Sequence, residues 1–152
     1  MWERIMSEDT LFMATIEQAR RALVYVRPIL EEIRALYAEF RGIEREVVDQ
    51  KLGGPEAETR IAGMKRLRNE IQMRIGELRS AGVELKDMEQ GLCDFHYKRR
   101  DGEVICLCFK LEEDTINFWH TVADGLAGRR PIEELLDAER AVPAGGPHHE
   151  RQ

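Results

Sequence analysis

The sequence predicts a mostly helical α+β fold, with a long antiparallel helical hairpin followed by a small antiparallel β-hairpin or sheet and short helices. Three observations carry that expectation. Apolar residues in the first half recur at spacings of three and four, the period of a helix with one buried stripe. Apolar residues after Gly91 gather in two short runs around an Asp-Gly pair, the strongest short-range hairpin signal. The change of period falls at Ala81-Gly82, where a helix is expected to stop.

The first helix starts at Thr15, which with Gln18 forms a capping-box pattern behind a short extended Thr10–Met13 stretch. Leu23, Val26, Leu30, Ile33, Tyr37, Phe40 and Val47 form its heptad-like stripe, broken only by Glu44. Pro28 lies inside it and predicts a kink, because it cannot donate to the Val24 carbonyl. Gly53-Gly54-Pro55 ends this helix and opens the next. Ala57, Ile61, Met64, Ile71, Ile75 and Leu78 form the second stripe, with Arg68 as its polar exception. Two such stripes joined by a short turn predict an antiparallel pair over residues 16–80. They are filled either within the chain or, along the longer arm, by a second subunit, so a homodimer through the long helices is one expected partner arrangement.

Residues 83–141 should form the α+β cap, completing one domain over 1–141, and 142–152 a disordered tail. In the cap, Leu92–Lys98 and Val104–Phe109 flank Asp101-Gly102. A two-residue turn sets Phe95 opposite Cys108 and Asp94 opposite Phe109. Cys93, Phe95, Tyr97, Cys106 and Cys108 then share one face, and Asp94 and His96 the other. A three-residue turn instead sets Asp94 opposite Cys108. Asp114 or Thr115 is expected to cap a short helix bearing Ile116, Trp119 and His120, and Pro131 to open a last helix at Ile132–Arg140.

At 152 residues, with 43% hydrophobic and 34% charged, the chain can bury a core and is not a disordered polymer. Residues 1–82 carry 14 basic and 14 acidic side chains, while 83–152 carry 9 and 15 and hold the whole net charge of −6. That balance argues against nucleic acid as a partner. No apolar run approaches the ~20 residues of a membrane span. Glu3, Glu8 and Asp9 interrupt any secretory leader, and three cysteines make no disulfide framework, so a cytoplasmic location is expected.

Gly91-Leu92-Cys93-Asp94-Phe95, Leu107-Cys108, Glu113, Trp119-His120 and Gly125-Leu126-Ala127-Gly128-Arg129 resemble the motif series of a bacterial family known only as domain of unknown function 2203. The resemblance covers about Phe12 to Ile132. The chain departs from the family pattern at Phe109, which replaces a Trp, at Glu112, which replaces a Gly, and at Leu126, which replaces a Phe. The resemblance implies no activity, because none is established for that family.

Asp94, Cys108, Glu113 and His120 are the candidate metal ligands, since thiolate, imidazole and carboxylate together suit zinc or another borderline transition metal. None has close motif spacing, and in a strand Cys106-x-Cys108 merely shares a face. Cys108 with His120 is the candidate nucleophile–base pair of a metal-free site. The plainer reading is a structural polar cluster of Asp94, Trp119, His120 and Arg129, with Asp94 and Arg129 as an ion pair. His148-His149 could bind metal weakly, and Lys98-Arg99-Arg100 reads as a solvated hairpin end. Two functions follow: a non-enzymatic self-associating or protein-interaction module, or as the alternative a small metal-binding protein, such as a metal-dependent hydrolase, with its site in residues 94–129.

Overall fold

A computed structural model describes residues 13–142. Phe12, the tail beyond Val142 and its two histidines lie outside the described residues. Helix α1 spans Ile16–Asp49 and α2 spans Gly54–Ser80, antiparallel and in contact along the hairpin. Five strands follow, β1 (Val83–Asp87), β2 (Leu92–Lys98), β3 (Val104–Lys110), β4 (Phe118–Thr121) and β5 (Arg130–Pro131), and then helix α3 (Ile132–Ala141). The strands pair in sequence order, every pair antiparallel.

The start of α1 is fixed by a complete capping box. The Gln18 N–H donates to Thr15 Oγ1 at 3.1 Å, and the Thr15 N–H donates to Gln18 Oε1 at 2.9 Å. The α1 stripe is buried through Ile33, while Tyr37, Phe40 and Val47 farther along are only half-buried. Pro28 is exposed within α1, which continues past it to Asp49. Ahead of the helix, Met13 bridges to His96, and the Ala14 N–H donates to the His96 carbonyl at 2.8 Å.

Two expectations for the cap are corrected. The β2–β3 hairpin pairs Asp94 with Cys108 and His96 with Cys106, so it has the three-residue register and not the two-residue one. The Arg99 N–H donates to the Glu103 carbonyl, and Arg100-Asp101-Gly102 forms the loop, with Gly102 at φ +96°. A two-residue type I′ turn would need φ > 0 at Asp101 as well, whereas the longer loop places only the glycine in the left-handed region. This moves Cys106 and Cys108 onto the face of Asp94 and His96, and leaves Cys93 with Phe95 and Tyr97. The second correction concerns Phe118-Trp119-His120-Thr121, a strand rather than a short helix. Aromatic and β-branched side chains suit a pleated surface, and alternation sends Trp119 and His120 to opposite faces.

The sheet therefore has two unlike faces. Phe95, Ile105, Leu107, Phe109 and Trp119 pack in one cluster with Leu23, Val26, Leu30 and Ile33 of α1. Arg20 and Arg27 of α1 fasten the β3–β4 connection to that layer. Arg20 donates to the Ile116 carbonyl at 2.8 Å, and Arg27 to those of Leu111, Glu113 and Asp114 at 3.2, 3.2 and 3.0 Å. No described helix is long and apolar enough to cross a membrane.

Candidate functional site

The outer face of the sheet gathers the reactive side chains. Direct pairing puts Glu84 beside Asp94, Asp94 beside Cys108, His96 beside Cys106, and Cys106 beside His120. Cross-strand neighbours share a face, so register alone assembles the group. Asp94, Cys108 and His120 form one compact set, with a donor atom from each within 4.8 Å of the others. All three are buried, at 1%, 0% and 4% exposure.

Hydrogen bonding constrains the imidazole. His120 Nδ1 lies 2.8 Å from the Thr121 carbonyl, which can only accept, so Nδ1 carries a proton. Nε2 lies 3.1 Å from Asp94 Oδ1. In a neutral ring of that tautomer, two lone pairs face each other across this gap. A proton or a metal ion must occupy it. A donor N–H on a carbonyl with the other nitrogen directed into the site is the usual outer support of a metal-ligating histidine. The 3.1 Å separation is also close to the ~3.3 Å between N and O donors of a tetrahedral zinc ion. Asp94 Oδ2 is buried and has no nitrogen or oxygen partner among the described residues, and the protonated Cys108 thiol is a donor beside the carboxylate.

Burial, followed by the Asp94 carboxylate, pushes the Cys108 thiol up to about 11, against some opposition from Arg129. Burial, Asp94 and Glu84 together push Cys106 up to about 12. Such shifts hold a proton on sulfur and work against a free-thiolate nucleophile, so the Cys108–His120 pair is not activated by its surroundings. A metal ion would have to displace that proton to bind.

The remaining candidates lie elsewhere. The Glu113 carboxylate accepts from the Lys110 N–H and from Arg129 Nη2, both at 2.8 Å, and is not part of the compact group. Arg129 thus pairs with Glu113 and not with Asp94, which corrects the expected ion pair. It also stacks on Phe118 at 4.3 Å and reaches the Cys108 carbonyl at 3.4 Å. Arg129 and Glu113 therefore brace the end of β3 behind the cluster. Trp119 is core, with Arg99 and Arg130 over its ring, and its indole N–H finds no acceptor among the described residues.

A pocket of about 110 Å³ opens over the cluster, walled by Leu92, Val122 and Leu126 and bordered by Glu84, Lys86 and His96. His96 Nε2 lies 3.6 Å from Glu84 Oε1. Glu84 and His96 are not among the site residues that the sequence singles out. The signal for them was the period-two alternation of β2 together with a strand at Val83–Asp87, legible only once the register was known.

Two glycines of the motif series are fixed by close approach. Gly91 has φ +60°, and a Cβ there would come within 2.3 Å of Leu111. A Cβ at Gly128 would meet Asp124 Cβ at 2.5 Å, in the turn that carries Leu126 to the pocket mouth.

The fold and site define a helical hairpin bearing a five-stranded antiparallel meander whose outer face buries an Asp–Cys–His cluster. A family model described as "Uncharacterized conserved protein (DUF2203)" matches residues 12–132, and the chain belongs to that family. No curated protein and no solved structure matches it.

Proposed function

We propose that this protein binds one transition-metal ion of the zinc type through Asp94, Cys108 and His120. The observation that carries the reading is the His120 ring, with its Nδ1 proton committed to the Thr121 carbonyl and its Nε2 aimed at Asp94 Oδ1 beside Cys108. Soft sulfur, imidazole and carboxylate donors suit zinc, and buried ligands suit a tightly held ion. Native mass spectrometry with elemental analysis of the same sample tests it. One metal per chain is expected in the wild type and none in a folded His120→Ala variant. A metal-free wild type, with His120→Ala merely less stable, would make the cluster a structural ion pair.

A second reading, compatible with the first, is self-association into a homodimer, or docking of a protein partner, through the long helices. Its support is the distal half of the hairpin. No residue from Arg34 to Glu70 is buried, yet Leu36, Phe40, Ile43, Met64 and Leu67 recur there half-buried. A monomeric mass across micromolar concentrations in sedimentation would sink the dimer. Three unpaired thiols fit a reducing, cytoplasmic setting.

A further inference from the structure

We infer that the metal keeps a fourth, exchangeable coordination position, open to the pocket between Leu92, Val122 and Leu126, and that this position takes a small neutral oxygen or nitrogen donor, water at rest. The inference rests on the metal-site reading above. All three ligand residues line that pocket. Among the described residues no fourth histidine, cysteine or carboxylate joins the compact group. Glu113 is held by Arg129, His96 faces Glu84, and Cys106, which lines the same pocket, lies outside the set of donors within 4.8 Å of one another. Three protein ligands with one open position is the arrangement of zinc sites that act on bound molecules, whereas purely structural sites are closed by four.

Size and charge restrict the ligand. The pocket holds about 110 Å³, less than the ~150 Å³ of a cavity that admits benzene, so the part of a ligand that reaches the metal is small. A divalent ion with one thiolate, one carboxylate and a neutral imidazole has no net charge. At the rim, Lys86 Nζ lies 3.6 Å from Glu84 Oε1, so those charges offset each other. A neutral donor leaves this balance intact, whereas an anion would place an unbalanced charge beside apolar walls. The unpartnered Asp94 Oδ2 supplies the acceptor that an O–H or N–H on the bound molecule requires.

The test uses the full chain loaded with one Co²⁺, whose visible bands report coordination. Imidazole is the neutral probe and azide the anionic one, and cobalt content is measured after each titration. Imidazole should shift the bands saturably at millimolar concentration with cobalt still at one per chain, and azide should bind at least tenfold more weakly. Leu126→Trp, placed at the mouth, should weaken imidazole at least tenfold without loss of cobalt. A cobalt–thiolate spectrum that neither probe changes would overturn the open position while leaving the metal site standing. Azide binding as tightly as imidazole would overturn the assignment of a neutral ligand. Failure to bind cobalt at all would remove the site and the position together.

Discussion

The two faces of the central sheet are built by alternate residues of the same strands, and both are buried, yet they carry opposite chemistry. Phe95, Ile105, Leu107 and Phe109 face α1 and are held by packing. Asp94, His96, Cys106, Cys108 and His120 face away from it, and their burial comes from the sheet itself and the turn bearing Leu126. Burial without apolar partners is costly for a carboxylate and an imidazole unless something pairs them. The inner face is held by packing, and the outer face by the contact between His120 and Asp94, whose shared site a proton or a bound ion can fill.

Substitutions in adjacent positions separate the two. Phe95→Ala should cost about 3–5 kcal/mol in denaturant unfolding, with or without metal, because it empties a fully buried ring site. Zinc at 100 times its dissociation constant should stabilise the wild type by about 2.7 kcal/mol. Thermal unfolding of His120→Ala should show none of that gain. Equal stabilisation of both proteins by zinc would place the ion elsewhere. Gly91→Ala should cost about 1–3 kcal/mol, because it combines a left-handed backbone with a collision against Leu111. At the exposed distal end of α1, Val48→Ser should change stability by less than ~0.5 kcal/mol in monomeric protein.

Proton linkage sharpens the contrast. Cys106 rises from 9.0 to about 12, and Tyr97, which donates to Glu139, from 10.0 to about 12. Both folded values exceed the unfolded ones, so their contribution is whole below about pH 9 and is lost as pH climbs toward 12. Apo-protein stability measured by denaturation should fall over that window. Zinc affinity should move the other way through neutral pH. With the Cys108 thiol held at about 11, binding must release its proton as well as any proton between His120 Nε2 and Asp94, so affinity gains about tenfold per pH unit for each proton released. A pH-independent affinity would contradict thiolate ligation.

The helical half was legible because its determinants are local. Thr15 with Gln18, Gly53-Gly54-Pro55, and apolar spacings of three and four each act within a few residues. The site was legible in its residue types, not in its assembly. Asp101-Gly102 signals a hairpin, but only the backbone at Asp101 decides between two and three loop residues, and that single residue moves Cys108 across the sheet. Trp119-His120 suits a helix or a strand over so short a run, and pairing with β3 settled it. The grip of Arg20 and Arg27 on the β3–β4 connection spans up to 96 positions and leaves no local trace in the sequence.

X-ray absorption of the zinc-loaded full chain reads the ligands of the ion itself. One sulfur is expected at about 2.3 Å, with nitrogen and oxygen neighbours at about 2.0–2.2 Å. The sulfur should vanish in Cys108→Ser. A first shell of nitrogen and oxygen alone in the wild type would contradict ligation by Cys108, and would point instead to adventitious binding at groups such as His148 and His149.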